Sequence, residues 1–198
     1  VFGSSKPKPD ERVYQQAVQL GRLLGGGGYT VLNGGYGGIM EAVSRGAADA
    51  GGHVIGVTCD EIEAFRPGKS NRWITELWHF KTLRERLYTL IESSDGAIVM
   101  PGGIGTLAEM AVTWAHLQTR TLSPRPLILV GPEWQAATQA FYEHLGDHVA
   151  PAYRELLTFA AGVQEAFDRL QAAMAEATRT SHVAGRAEGE AGIPGDTA

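Results

Sequence analysis

Ala97-Ile98-Val99-Met100-Pro101-Gly102-Gly103-Ile104-Gly105-Thr106-Leu107-Ala108-Glu109 is the stretch on which the reading of the fold turns. Four apolar residues suit a buried strand, the Pro-Gly-Gly after them is a turn, and residues 106–117 read as a helix. Strand, glycine loop and helix together make one β-loop-α unit. The same order occurs twice before it. Val1-Phe2 leads into Gly3-Ser4-Ser5, and Tyr29-Thr30-Val31-Leu32 leads into Asn33-Gly34-Gly35-Tyr36-Gly37-Gly38. Further strands are expected at 53–58, 76–80, 126–130 and 156–159, and further helices at 11–24, 39–50, 83–91, 134–145 and 163–177. Alternation of this kind predicts an α/β protein with a Rossmann-like, doubly wound and mainly parallel sheet covered by helices on both faces. One domain is expected over residues 1–178. From 179 to 198 large apolar residues almost vanish, which predicts a disordered tail. Residues 60–75 carry Pro67, Gly68, Ser70 and Asn71 and read as an irregular loop too long for a plain connector.

The chain has 198 residues, 43% of them hydrophobic, so a packed core is within reach; 26 are glycine, 19 of these at or before Gly105. No run reaches the 18 or so apolar residues of a membrane helix. A net charge of −5 argues against a nucleic-acid-coating surface. The single cysteine, Cys59, excludes an internal disulfide and a multi-cysteine metal site, which points to a reducing, cytoplasmic setting. The six histidines show no ligand spacing, so no metal is expected. Cys59 itself reads as a buried, inert thiol.

In a parallel sheet, ligands bind beyond the carboxyl ends of the strands. The three glycine loops should therefore converge on one crevice. At the third, Gly102, Gly103, Ile104, Gly105 and Thr106 combine free backbone N–H groups with the positive end of a helix dipole, an arrangement that suits phosphate. The loop lacks the Lys-Ser/Thr of a Walker motif, and its Gly-Gly-x-Gly spacing is not the dinucleotide fingerprint. Gly3, Ser4 and Ser5 offer further amides and hydroxyls, and Gly34, Gly35, Gly37 and Gly38 form the remaining wall. Glu109 lies about one helical turn beyond Gly105, where it would face a held substrate or serve only as a dipole-stabilised surface carboxylate. In the 81–86 cluster, Lys81 and Arg84 read as a solvated helix face.

Taken together, these residues resemble the phosphoribohydrolase family of LOG ("Lonely Guy") proteins, often labelled "possible lysine decarboxylase". The family's Pro-Gly-Gly-x-Gly-Thr-x-x-Glu is unbroken from Pro101 to Glu109, and Gly3-Ser4-Ser5 matches its first-strand loop. The resemblance runs from Val1 to about Leu145. It implies a homodimer or higher homo-oligomer that hydrolyses the N-glycosidic bond of a nucleoside 5′-monophosphate, without cofactor, to free base and ribose 5-phosphate. It also implies Arg86 and Glu109 as the catalytic residues. Lysine decarboxylation is disfavoured, because pyridoxal chemistry needs a Schiff-base lysine and none of Lys6, Lys8, Lys69 and Lys81 sits in a cofactor motif. The chain departs from the family at Leu87, Leu90 and Ala108, where lysine, methionine and glutamate are commoner. Those departures leave open an alternative: a non-catalytic binder of a phosphorylated ligand, like the similarly folded molybdenum-cofactor carriers.

Overall fold

The computed structural model describes residues 1–66 and 68–190. Six parallel strands fall where the apolar runs predict: β1 (Val31–Asn33), β2 (Val54–Cys59), β3 (Glu76–Phe80), β4 (Ala97–Val99), β5 (Leu127–Val130) and β6 (Thr158–Ala160). They form two three-stranded parallel sheets, β1-β2-β3 and β4-β5-β6. The extended residues Val1 and Phe2 join them. The Val1 nitrogen donates to the Leu32 carbonyl at 2.6 Å, and Phe2 N–H donates to Ile98 at 2.9 Å while its carbonyl accepts from Met100. The strand order is thus 3-2-1, the Val1–Phe2 segment, then 4-5-6. Progression reverses beside that segment, so the loops after Phe2 and after β4 leave the sheet in opposite directions and open a crevice.

The helices are α1 (Arg12–Gly26), α2 (Ile39–Asp49), α3 (Asp60–Phe65), α4 (Leu83–Glu92), α5 (Ile104–Gln118), α6 (Pro132–Leu145), α7 (Pro151–Arg154) and α8 (Val163–Glu190). Strand side chains alternate between two cores, as a period of two requires. Ile98 and Ile128 pack with α1, α2 and α8 on one face, whereas Ala97, Val99, Leu127 and Leu129 pack with α4, α5 and α6 on the other. Both faces are covered, as expected for a doubly wound sheet.

One expectation needs correction. Residues 60–65, read as loop, form the short helix α3, whose acidic start Asp60-Glu61 suits a helix N-terminus. Helix α8, expected to end at 177, runs on to Glu190, into the stretch expected as a tail. The remainder of that tail, 191–198, lies outside the described residues.

Helices α1 and α2 cross through glycines. A Cβ on Gly46 would lie 2.0 Å from the Val18 carbonyl oxygen, and one on Gly21 would lie 2.2 Å from that of Val43. Both obstacles are backbone, so neither helix can yield locally. Gly46→Ala is expected to destabilise the protein by about 3 kcal/mol, at the upper end of overpacking costs. A urea melt with an unchanged slope and a lower midpoint would register it.

Candidate functional site

A cleft of about 400 Å³ opens at the carboxyl end of the sheet, lined by the first loop, the start of α5, the end of α3 and Arg86. Its floor is a buried ion pair. Arg86 is 5% exposed and Glu109 is 9% exposed, with 3.6 Å between Arg86 Nη1 and Glu109 Oε1.

Arg86 is held from several sides. It stands in the first turn of α4, whose start is set by a capping box: the Thr82 side chain accepts from Glu85 N–H, and Glu85 accepts from Thr82 N–H. Arg86 Nε donates to the Val57 carbonyl at 2.8 Å, and Nη2 donates to the Gly34 carbonyl at 3.2 Å. The guanidinium also lies 5.7 Å from the centroid of the Tyr36 ring. These contacts leave Nη1 directed at Glu109.

Glu109 sits three residues beyond Thr106 on the same face of α5, and both are buried. Burial pushes its carboxyl up to about 7, while the Arg86 guanidinium pulls in the opposite direction. A carboxyl poised near neutrality is suited to exchanging a proton during a reaction.

The N-cap of α5 is Gly103, which supplies no side-chain cap, so the first amides of the helix are free for a ligand. The loop after Phe2 is fastened to the α5 loop by Ser4 N–H donating to the Pro101 carbonyl at 3.1 Å. Gly3, Ser4, Ser5, Gly103, Ile104, Gly105 and Thr106 line the cleft with Arg86 and Glu109, as the sequence suggests. Gly34, Gly35, Gly37, Gly38 and Gly102 are not among the lining residues. Gly34, Gly35, Gly38 and Gly102 instead let other groups approach, since a Cβ on any of them would lie 2.0–2.8 Å from a neighbouring atom. Gly38 starts α2 at φ +67°, and a Cβ there would meet the Ser4 carbonyl oxygen at 2.4 Å. Instead Tyr36 of the second loop and Met40 of α2 face the cleft, together with Lys6, Ile62 and Arg66 from elsewhere. Sequence reasoning missed these five. The Thr-x-x-Glu at 82–85 was a legible sign that Arg86 opens a helix, but nothing local pairs Arg66 with the cleft.

The described residues contain no group of three or more metal-ligating side chains, and no helix among them is long and apolar enough to cross a membrane. Cys59 is fully buried, and its N–H donates to the Tyr36 hydroxyl at 3.0 Å.

A family model described as "Possible lysine decarboxylase" matches residues 40–170, and that span contains both members of the ion pair. The chain belongs to this family, the LOG family. Among LOG-family relatives, it is 29% identical to a cytokinin riboside 5′-monophosphate phosphoribohydrolase of Rhodococcoides fascians, over 78% of this chain and 79% of that protein. It is 31% identical to a pyrimidine/purine nucleotide 5′-monophosphate nucleosidase of Escherichia coli K12, again over 78% of this chain but only 37% of the larger protein. In fold it matches the molybdenum cofactor binding protein of Rippkaea orientalis with a TM-score of 0.67 at 21% identity, covering 86% of this chain and 92% of the other.

Proposed function

We propose that the chain is a nucleoside 5′-monophosphate phosphoribohydrolase, which cleaves the N-glycosidic bond and releases a free base and ribose 5-phosphate. The observation that carries this reading is the Arg86–Glu109 pair buried beneath an uncapped α5 N-terminus. The 5′-phosphate is held by the amides of residues 103–106 and the Thr106 hydroxyl, and the first loop contributes Ser4 and Ser5. Phosphate binding positions C1′ of the ribose over Glu109. As the C1′–N bond breaks, its electron pair leaves with the base and positive charge develops on the sugar, which the Glu109 carboxylate stabilises. Water adds to C1′, its proton passes to Glu109, and the departing base takes a proton from solvent. Arg86 fixes the carboxylate and opposes the rise in its pKa that burial causes.

The test is incubation with a panel of nucleoside 5′-monophosphates, read by chromatography for free base. No release from any member overturns the hydrolase reading. The departures at Leu87, Leu90 and Ala108 favour one second reading, a carrier of a phosphorylated ligand. A phosphorylated compound that co-purifies and is returned unchanged would support it.

We further propose a homodimer or higher homo-oligomer in the cytoplasm. Between Ile104 and Gln118, Glu109 is the only acidic or basic residue apart from His116, and it faces inward. The outward face presents Leu107, 43% exposed, together with Ala111 and Ala115. A helix apolar on both faces calls for a partner on the outer one. Ala111→Glu is expected to shift the particle from at least twice the chain mass to the monomer in light scattering.

A further inference from the structure

Helix α3 forms a roof at one side of the cleft, tied down along its length. Asp60 Oδ1 accepts from His79 Nε2 at 2.7 Å, Glu61 Oε2 accepts from Leu83 N–H at 2.7 Å, and Glu63 Oε1 accepts from the Tyr36 hydroxyl at 3.4 Å. At its end, Arg66 Nη1 donates to Ser5 Oγ at 2.6 Å, a contact spanning 61 residues of chain. Three cations line the cleft: Lys6, Arg66 and Arg86. Arg86 is committed to two carbonyls and Glu109. Arg66 has no carboxylate within ion-pair distance among the described residues; its guanidinium rests on a neutral hydroxyl. A guanidinium carries five N–H donors in a planar fork that matches phosphate oxygens, and a single serine leaves most of them free. The chain is net acidic, so an arginine without an acid partner at the mouth of this cleft is matched to an anionic ligand.

We propose that Arg66 binds the 5′-phosphate of the substrate. Arg66 donates to Ser5 Oγ. With nucleotide bound, the fork takes two phosphate oxygens, and the freed Ser5 hydroxyl turns to donate to the same anion. The phosphate is then held between the α5 amides and Arg66, and α3 is drawn over the ribose with Ile62. This inference rests on the reading of the cleft as a nucleotide site, and it assigns the residue that makes the site select phosphorylated over unphosphorylated nucleosides.

Binding of inorganic phosphate and of ribose 5-phosphate by calorimetry is the primary test, with adenosine as the phosphate-free control. Arg66→Ala is expected to weaken both phosphorylated ligands about 10–50-fold, the scale of lost charge-assisted hydrogen bonds. Adenosine binding should stay within about twofold, and Arg66→Lys should recover only part of the loss because it lacks the fork. His79→Ala loosens the other end of α3 and should leave phosphate affinity within about twofold. A wild-type protein that binds neither phosphorylated ligand overturns the inference. So does equal binding by wild type and Arg66→Ala, or a His79→Ala loss as large as that of Arg66→Ala, which would make α3 docking responsible. Arg66-dependent phosphate binding by a wild type that hydrolyses no nucleotide would sustain the inference while removing the hydrolase reading.

Discussion

Glu109→Gln is expected to lower base release about 10³-fold, the range for loss of a positioned base, and at the same time to make the protein more stable above neutral pH. Both effects have one cause. Burial moves the Glu109 carboxyl from 4.5 to about 7, so between those values the folded protein holds a proton that the unfolded chain has already released. Wherever the folded state binds more protons, stability falls as pH rises. The contribution of Glu109 is therefore at its best below about pH 4.5, declines through the interval, and is flat above about pH 7. At about 1.4 kcal/mol per pH unit, the decline amounts to about 3 kcal/mol. Glutamine resembles the protonated acid in shape and charge, so the variant escapes that loss. Thermal melts at pH 8 should show Glu109→Gln higher by several degrees, with the two proteins converging near pH 5. Activity of the wild type should rise with pH as the carboxyl ionises through about 7. A variant that loses activity without gaining stability at pH 8 would mean that Glu109 is not the strained carboxylate described here.

This trade between stability and reactivity is also where sequence reasoning meets its limit. Most of the strands were legible because they are short apolar runs closed by glycine or a polar turn, and the longer helices because their apolar residues recur on one face. Glu109 was legible because it stands in the same local motif as the phosphate loop. The burial that raises its pKa was not, since it depends on parts of the chain distant in sequence, Arg86 of α4 among them. The second glycine loop shows the same limit from the other direction. Its glycines do not line the cleft: Gly34, Gly35 and Gly38 serve close approaches within the protein, while Tyr36 between them faces the cleft. Helix α3 was hidden because Pro67 and Gly68 mark its end as loop, while Arg66 and Ser5 share no local pattern.

The glycines can be separated by experiment into those the protein needs and those its ligand needs. Gly34→Ala is expected to lower catalytic efficiency about 100-fold, because the new methyl would lie 2.0 Å from Arg86 Nη2 and 2.7 Å from Met40 Sδ. Arg86 would be driven off the Gly34 carbonyl that orients it, and its Nη1 would leave Glu109. Met40 can shift, but Arg86 is also pinned by the Val57 carbonyl and can retreat only by losing that bond. Stability should fall too, by about 1–3 kcal/mol, as expected for overpacking. Gly103→Ala makes the contrast. No atom lies within 4 Å of a Cβ there, and its φ of −99° is open to any L residue, so the folded protein has no use for the missing side chain. The variant should melt within a few degrees of wild type. Yet its methyl stands at the N-cap of α5, where the phosphate would approach the amides, and affinity for ribose 5-phosphate should fall about tenfold. Full affinity in Gly103→Ala would move the phosphate away from the α5 N-terminus. Full activity in Gly34→Ala would separate Arg86 from catalysis. Because the first substitution acts only through a ligand and the second only through the protein, the pair tests the anion site and the Arg86–Glu109 pair independently.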